Sequence, residues 1–419
     1  MHDHSRTTMS NSTRRVPQLL LDRTFGPFFF GQIVATMAVW IHNVAAAIVV
    51  WELTRSTTLV AAITIGQFAP QFVLTPWSGA RADRADRRRQ LVAGTLMTAA
   101  GTGLLAVWSA GPGLEGTTGA LVVVLGATIV GTGFAIGGPA SQALLPSLVR
   151  PGELASAIAI STVPMTIARA LGPAVGAILI TTSGPTVTFT LTSVLQLTYA
   201  LIMFRRERST NGASRRDTRI LAAVHYLGRD HSVAWLLVGI TIVGLGVDPV
   251  ITLAPAIADR LGGGGDLVGL ITSAFGVGAL LGFAVQPAMR RRLGIERTGS
   301  IGLLVLALGL APLALVRSPL LAAESMVVAG MGMTLSLTAF TTGIQQRVPD
   351  ELRGRVMALW SMAFLGSRPL AAALSGALSD AFSEELALAV AVGIILVGAV
   401  FTGPSRTRPD TPVDAEMPR

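Results

Sequence analysis

The 419-residue chain is 51% hydrophobic and 13% charged, with a formal net charge of +9 and a mean hydropathy of +0.62. Soluble domains carry about 25% charged residues, so this composition excludes a soluble domain of any size and indicates an all-α polytopic membrane protein. Every basic side chain other than the five His is Arg and there is no Cys, which removes disulfides and thiolate metal sites. The Arg residues cluster in alternate loops, so the charge reports orientation against a bilayer rather than nucleic-acid binding.

The residues up to about Leu21 are polar and carry Arg6, Arg14 and Arg15. The apolar segment after them lacks a small-residue cleavage site and reads as a retained helix rather than a signal peptide. His2 and His4 sit on this solvated tail, where no scaffold would fix a metal geometry. A spanning helix needs about 20 apolar residues, and apolar runs predict twelve: 25–53, 57–79, 90–110, 119–143, 154–181, 186–204, 233–258, 267–289, 298–316, 319–343, 355–379 and 386–402.

Between the second and third of these lies the densest charge cluster of the chain, Gly79-Ala-Arg-Ala-Asp83-Arg84-Ala-Asp86-Arg87-Arg88-Arg89. Such a knot cannot sit in hydrocarbon and is expected to be a tight loop. This loop, Arg150, the stretch 205–229, Arg290 to Arg297 and Arg347 to Arg355 fall on one side. The other side holds only Arg55, Arg260 and Arg317. The positive-inside rule then places both termini in the cytoplasm.

The polar stretch from Arg205 to Asp230 bisects the chain, and a short amphipathic helix near Ile220 to Leu227 could lie on the inner leaflet within it. The expected organisation is a tail (1–24), a six-helix half (25–204), a cytoplasmic linker (205–232), a second six-helix half (233–402) and a C-terminal tail (403–419). The halves repeat. Pro146-Ser-Leu-Val-Arg150-Pro-Gly-Glu153-Leu154 leads into a helix with Arg169, Gly172-Pro173 and Gly176. Val348-Pro349-Asp350-Glu351-Leu352-Arg353-Gly354-Arg355 leads into one with Arg368-Pro369 and Gly376. Repeated halves are an architecture of secondary transporters, with substrate handled near the midplane.

The pattern GxxxDRxxRR at Gly79 to Arg88, together with Gln32, Trp40, the run Glu52 to Ser56 and the run Gln345 to Arg355, resembles the major facilitator superfamily over almost the whole chain. Within it the resemblance is to bacterial exporters of drugs, macrolides and siderophores. That resemblance implies a multi-pass protein of the bacterial cytoplasmic membrane, a monomer working on a small-molecule substrate and protons, without cofactor, nucleic acid or enzymatic chemistry. It also implies a cytoplasmic gate formed by Gly79, Asp83, Arg84, Arg87 and Arg88 with Arg353 and Arg355. Asp83 would face the positive N-terminal end of the eleventh helix, and a carboxylate there gains about 0.3–1 kcal/mol. Gly79 would let the second and eleventh helices approach closely. The fifth helix carries part of the GxxxGPxxGG signature of proton-coupled exporters, as Gly172, Pro173 and Gly176. Ala168 and Ala177 depart from it, and close packing at a Pro bend explains the fragment equally well.

Ionisable residues at mid-depth cost about 2.5–3.5 kcal/mol each and commonly mark a pathway. Asp248 interrupts the seventh helix in Gly244-Leu-Gly246-Val-Asp248-Pro249, where Gly and Pro loosen the helix. It is the expected proton carrier, with Glu324 second to it, and Arg169 or Arg368 supplies an opposite charge. Glu52 at a helix end reads as an interfacial cap. Gln32, Trp40, His42, Asn43, Gln67 and Gln71 are the expected cavity lining, with Phe68, Phe72, Phe275, Phe340 and Trp360 on cavity-forming helices. Apolar walls with a few polar groups suit a bulky amphipathic ligand. The same scaffold would serve an uptake symporter, and a non-transporting receptor is a further reading. The five His form no HExxH array, and no Walker loop is present.

Overall fold

The computed structural model describes residues 16–84, 86–150, 152–205, 225–228 and 230–407, and the side chains of Asp83, Arg84, Asp350 and Glu351 lie outside that description. Among the described residues, ten helices are long and apolar enough to cross a membrane. They are α1 (Phe25–Thr54), α2 (Thr57–Arg84), α3 (Arg87–Ala110), α4 (Gly116–Leu144) and α5 (Val163–Phe204). After the linker come α6 (His231–Val247), α7 (Gly265–Leu310), α8 (Pro319–Arg347), α9 (Asp350–Ala381) and α10 (Glu384–Phe401).

Two of these helices are too long for one crossing. The 42 residues of α5 and 46 of α7 would each measure more than about 60 Å at about 1.5 Å per residue, twice a hydrocarbon core of about 30 Å. Each contains one glycine with backbone angles that L side chains rarely adopt, Gly184 (φ 75°, ψ 177°) and Gly294 (φ 81°, ψ 173°). The chain reverses there. Before Gly184, Gly172 abuts Trp40 and Gly176 abuts Ile41, and after it Gln196 bonds to the Ala35 carbonyl and Tyr199 packs on Gly31. The two arms of α5 therefore run along α1 in opposite directions. The arms of α7 do the same along α8: Gly278 meets Val327 and Gly282 meets Thr334, whereas Gly299 meets Phe340 and Gly309 meets Ala329.

Small residues set how closely these helices pack, because helix association in lipid relies on van der Waals contact between close backbones. A Cβ on Gly94 of α3 would sit 2.6 Å from the Gly133 carbonyl of α4. Large apolar side chains such as Val107, Leu308, Leu370 and Val400 point outward, where lipid would lie.

The charged loop is tighter than expected. α2 runs on to Arg84 and α3 starts at Arg87, with the Asp86 carboxylate capping it by accepting from the backbone N–H of Arg88 (3.0 Å) and Arg89 (3.2 Å). Ala and Arg favour helix, so the helices extend past the apolar stretch before the chain turns. The seventh predicted segment is broken. α6 ends at Val247, and short helices Pro249–Thr252 and Ala254–Arg260 follow, because Pro249 has no N–H to donate and its ring clashes with the preceding turn.

Most of the expected linker, with residues 220–224 of its amphipathic segment, lies outside the described residues, and residues 225–228 are helical. At its end the Tyr226 hydroxyl donates to Asp230 Oδ2 (3.1 Å) and to the Arg347 carbonyl (3.3 Å), which fastens the chain to α8. Burial, and then the Asp230 carboxylate beside it, push this phenol up to about 12, so it stays a donor at neutral pH.

Candidate functional site

The helix break positions Asp248 in the interior, completely buried. Arg368 of α9 reaches it with Nη2 at 3.3 Å from Oδ1, and Thr252 one turn on donates to Oδ2 at 2.9 Å. The other side of the Arg368 guanidinium stacks on the Phe68 ring of α2, 3.9 Å from its centroid. A cavity of ≈ 10 Å³ adjoins the pair, lined in part by Asn43, Thr64, Gln67, Phe68, Ile251 and Arg368, space for about one water. Asp248 can hold or release a proton, and neutralising it would leave Arg368 buried without its counter-ion. Arg368 thus links the buried acid to α2, pairing with Asp248 on one side and stacking on Phe68 on the other.

Arg169 does not take part in that pair. Its Nη1 lies 3.7 Å from the Met333 sulfur of α8, and its guanidinium lies 5.7 Å from the Trp40 ring centroid of α1. Of the two arginines expected to balance Asp248, only Arg368 does so. Gly172, Pro173 and Gly176 are all buried, with Gly172 against Trp40 and Gly176 against the Ile41 backbone. They pack α5 onto α1. Glu324 is exposed in the second turn of α8, too near the helix start to share the site of Asp248, and Glu52 is exposed in the last turn of α1.

The expected cavity residues do not converge on one space. Asn43 and Gln67 line the small central cavity, and Gln71 donates to the Gln67 carbonyl at 3.0 Å. Gln32 bonds to Ser141 and lines a separate ≈ 110 Å³ cavity with Phe25, Phe29, Gln142 and Pro164. Trp40 underlies Arg169. His42 is completely buried against Phe189 (ring centroids 5.8 Å apart), and neither ring nitrogen has a partner among the described residues.

At the end of the molecule away from the Arg-rich loops, the structure shows contacts that sequence patterns did not single out. The Asp380 carboxylate, at the C-terminal end of α9, sits on the N-terminus of α2. It accepts from the backbone N–H of Thr57 (2.8 Å) and Thr58 (3.0 Å), from Ser56 Oγ (2.6 Å) and from Thr57 Oγ1. Arg55 pairs with Asp259, and Thr181 of α5 donates to Asp266 of α7 at 2.9 Å. An acid near a helix end is an ordinary interfacial residue in sequence, and only the neighbouring helix turns it into a cap.

At the Arg-rich end, Arg87 donates to the carbonyls of Ala82 (3.2 Å) and Ala143 (3.1 Å), and Arg88 follows it in the first turn of α3. Arg353 and Arg355 lie in the first turns of α9. Among the described residues, added Cβ atoms on Gly79 and on Gly354 would each meet nothing within 4 Å, so the close approach expected at Gly79 is not seen among them. The Asp83 and Arg84 side chains, and with them the expected latch, lie outside the described residues.

This arrangement, helical arms folded back on one another around a buried ion pair, is that of a membrane transporter. A model of the family described as transmembrane secretion effector matches residues 19–416, and the chain belongs to that family, within the major facilitator superfamily. It is a membrane transporter of that superfamily. No curated protein matches the sequence. Among solved structures, the chain is similar to the nucleoside transporter NupG at 12% identity, covering 90% of this chain and 98% of that one with a TM-score of 0.74. It is similar to a bacterial homologue of the human lysosomal transporter Spinster, inward-facing and occupied, at 15% identity, 90% and 94% coverage and a TM-score of 0.72. A bacterial homologue of the iron transporter ferroportin is 16% identical in both its states. The inward-facing state covers 93% and 98% with a TM-score of 0.71, and the outward-facing state 90% and 98% with 0.62. At these identities the likeness is one of fold.

Proposed function

We propose that this chain is a proton-coupled exporter of a lipophilic or amphipathic small molecule, working by alternating access in the bacterial cytoplasmic membrane. The observation that carries the reading is the buried Asp248–Arg368 pair at a helix break, with Arg368 stacked on Phe68 of α2. A carboxylate that takes up a proton there releases Arg368 from its counter-ion, and because Arg368 is also the side chain that touches α2, the proton biases the contact between the chain's N-terminal and C-terminal parts, which is what coupling a proton to a conformational change requires. The reversals at Gly184 and Gly294 support counting twelve spans in two six-helix halves, 25–204 and 233–402, joined by 205–232. The loop Arg asymmetry supports cytoplasmic termini.

In this reading the structure is the inward-facing state. The polar ties at the Asp380 end, the open space around Gly79 and Gly354, and the higher similarity to the inward-facing ferroportin homologue support it. In the other state Asp83 closes the cytoplasmic end against the start of α9, as the motif resemblance implies. The test is efflux of a panel of amphipathic compounds into inverted vesicles, with and without a collapsed pH gradient. The expected result is gradient-dependent accumulation by the wild type, lost in Asp248→Asn while binding persists. Wild-type accumulation by Asp248→Asn overturns the assignment of the proton site, and gradient-driven movement in the opposite direction overturns export.

A further inference from the structure

The two mid-depth arginines are not neutralised alike. Arg368 has the Asp248 carboxylate at 3.3 Å. Arg169 makes no ion pair among the described residues, and its neighbours are a thioether sulfur, an aromatic face and the like charge of Arg368. Among the described residues, α5, α9 and the break after α6 thus place two guanidinium groups against one carboxylate, an excess of one positive charge where charge is expensive. Trp40 comes from α1 and Met333 from α8, so Arg169 stands where the N-terminal and C-terminal parts of the chain meet. It is only half-buried, and among the described residues its donors reach nothing stronger than a sulfur.

We infer that Arg169 is the anion-recognition point of the transported molecule, and that the substrate class is an amphipathic anion: a carboxylate, sulfonate or phosphate carried on an apolar or aromatic body. This rests on the transport reading above and narrows it. The anion supplies the missing counter-charge in a fork geometry that guanidinium matches well, while the partly exposed Trp40 provides an aromatic face for the apolar body. Arg368 cannot do the same while Asp248 holds it.

The experiment uses the full chain purified into lipid nanodiscs, with 2-naphthoate and the uncharged 2-naphthalenemethanol as matched probes in equilibrium dialysis, corrected for empty nanodiscs. Wild type is expected to bind the anion about tenfold or more tighter than the alcohol. Arg169→Gln should remove that preference, and Arg169→Lys should keep part of it. Met333→Glu, which places a carboxylate against Arg169, should abolish the preference without deleting the arginine, so the inference stays testable even if Arg169→Gln misfolds. Equal binding of the two probes by wild type, no binding of naphthoate, or a preference that survives Met333→Glu overturns it. Anion preference without proton-driven flux would overturn only the coupling reading, and proton-driven flux without anion preference would overturn only this inference.

Discussion

The interface between α2 and α9 and that between α5 and α7 join the N-terminal and C-terminal parts of the chain by different physics. The first is directional: Arg368 stacks on Phe68 in the middle, and Asp380 caps the N-terminus of α2 at the end. The second is steric. Gly269 packs against Ala177 and Gly276 against the backbone of Arg169 and Ala170, with one hydrogen bond, Thr181 to Asp266, at its end. A transporter needs interfaces that separate and re-form, and charge-assisted contacts break discretely whereas small-residue contacts allow helices to slide and tilt. On the function proposed above, the α2–α9 seam is where a proton would act, and the α5–α7 seam would serve as the pivot.

The largest expected effect tests the directional seam. Arg368→Gln leaves the Asp248 charge buried and unpaired and should lower stability by about 3–5 kcal/mol, read by thermal unfolding in detergent. The double variant Asp248→Asn with Arg368→Gln should recover most of that loss, and an equal loss in single and double variants would show that the pair is not the source. Next comes the steric seam: Gly276→Val should cost about 1–3 kcal/mol by overpacking, since even an added Cβ would lie 2.6 Å from the Ala170 Cα. An unchanged unfolding temperature would show that α5 and α7 are not held this close.

Asp380→Ala removes an N-cap, worth about 0.5–2 kcal/mol. At about 1.4 kcal/mol per tenfold, this should shift the population toward the state open at that end by roughly two- to thirty-fold. Spin labels on cysteines introduced at Gly116 and Arg317 should report a longer distance component, and an unaltered distribution would remove the cap from the closing energy. Thr181→Val deletes one half-exposed hydrogen bond and should change the same distribution least, by less than about 1 kcal/mol. If it opens the molecule as far as Asp380→Ala does, the contrast between the two seams fails.

The sequence by itself determined the spans, because twenty consecutive apolar residues have no other stable place than a bilayer or a large core, and that signal is local. It determined the reversals as polar or glycine-bearing breaks between runs, and it marked the broken helix at Asp248-Pro249, since Pro declares its missing N–H wherever it stands. The cap at Asp86 was not within its reach, because the predicted helix began at residue 90 and only the observed start at Arg87 makes Asp86 its cap. Only the tertiary structure decided which arginine serves Asp248, because Arg169 and Arg368 look alike as mid-helix charges and the choice depends on which helix packs beside α6, 120 residues away in sequence. It likewise decided that Asp380 caps a helix starting 323 residues earlier, and that Gln32, His42 and Asn43, neighbours on one helix, face different surroundings. Burial and charge pairing are properties of what surrounds a side chain, and in a helical bundle those surroundings come almost entirely from other helices.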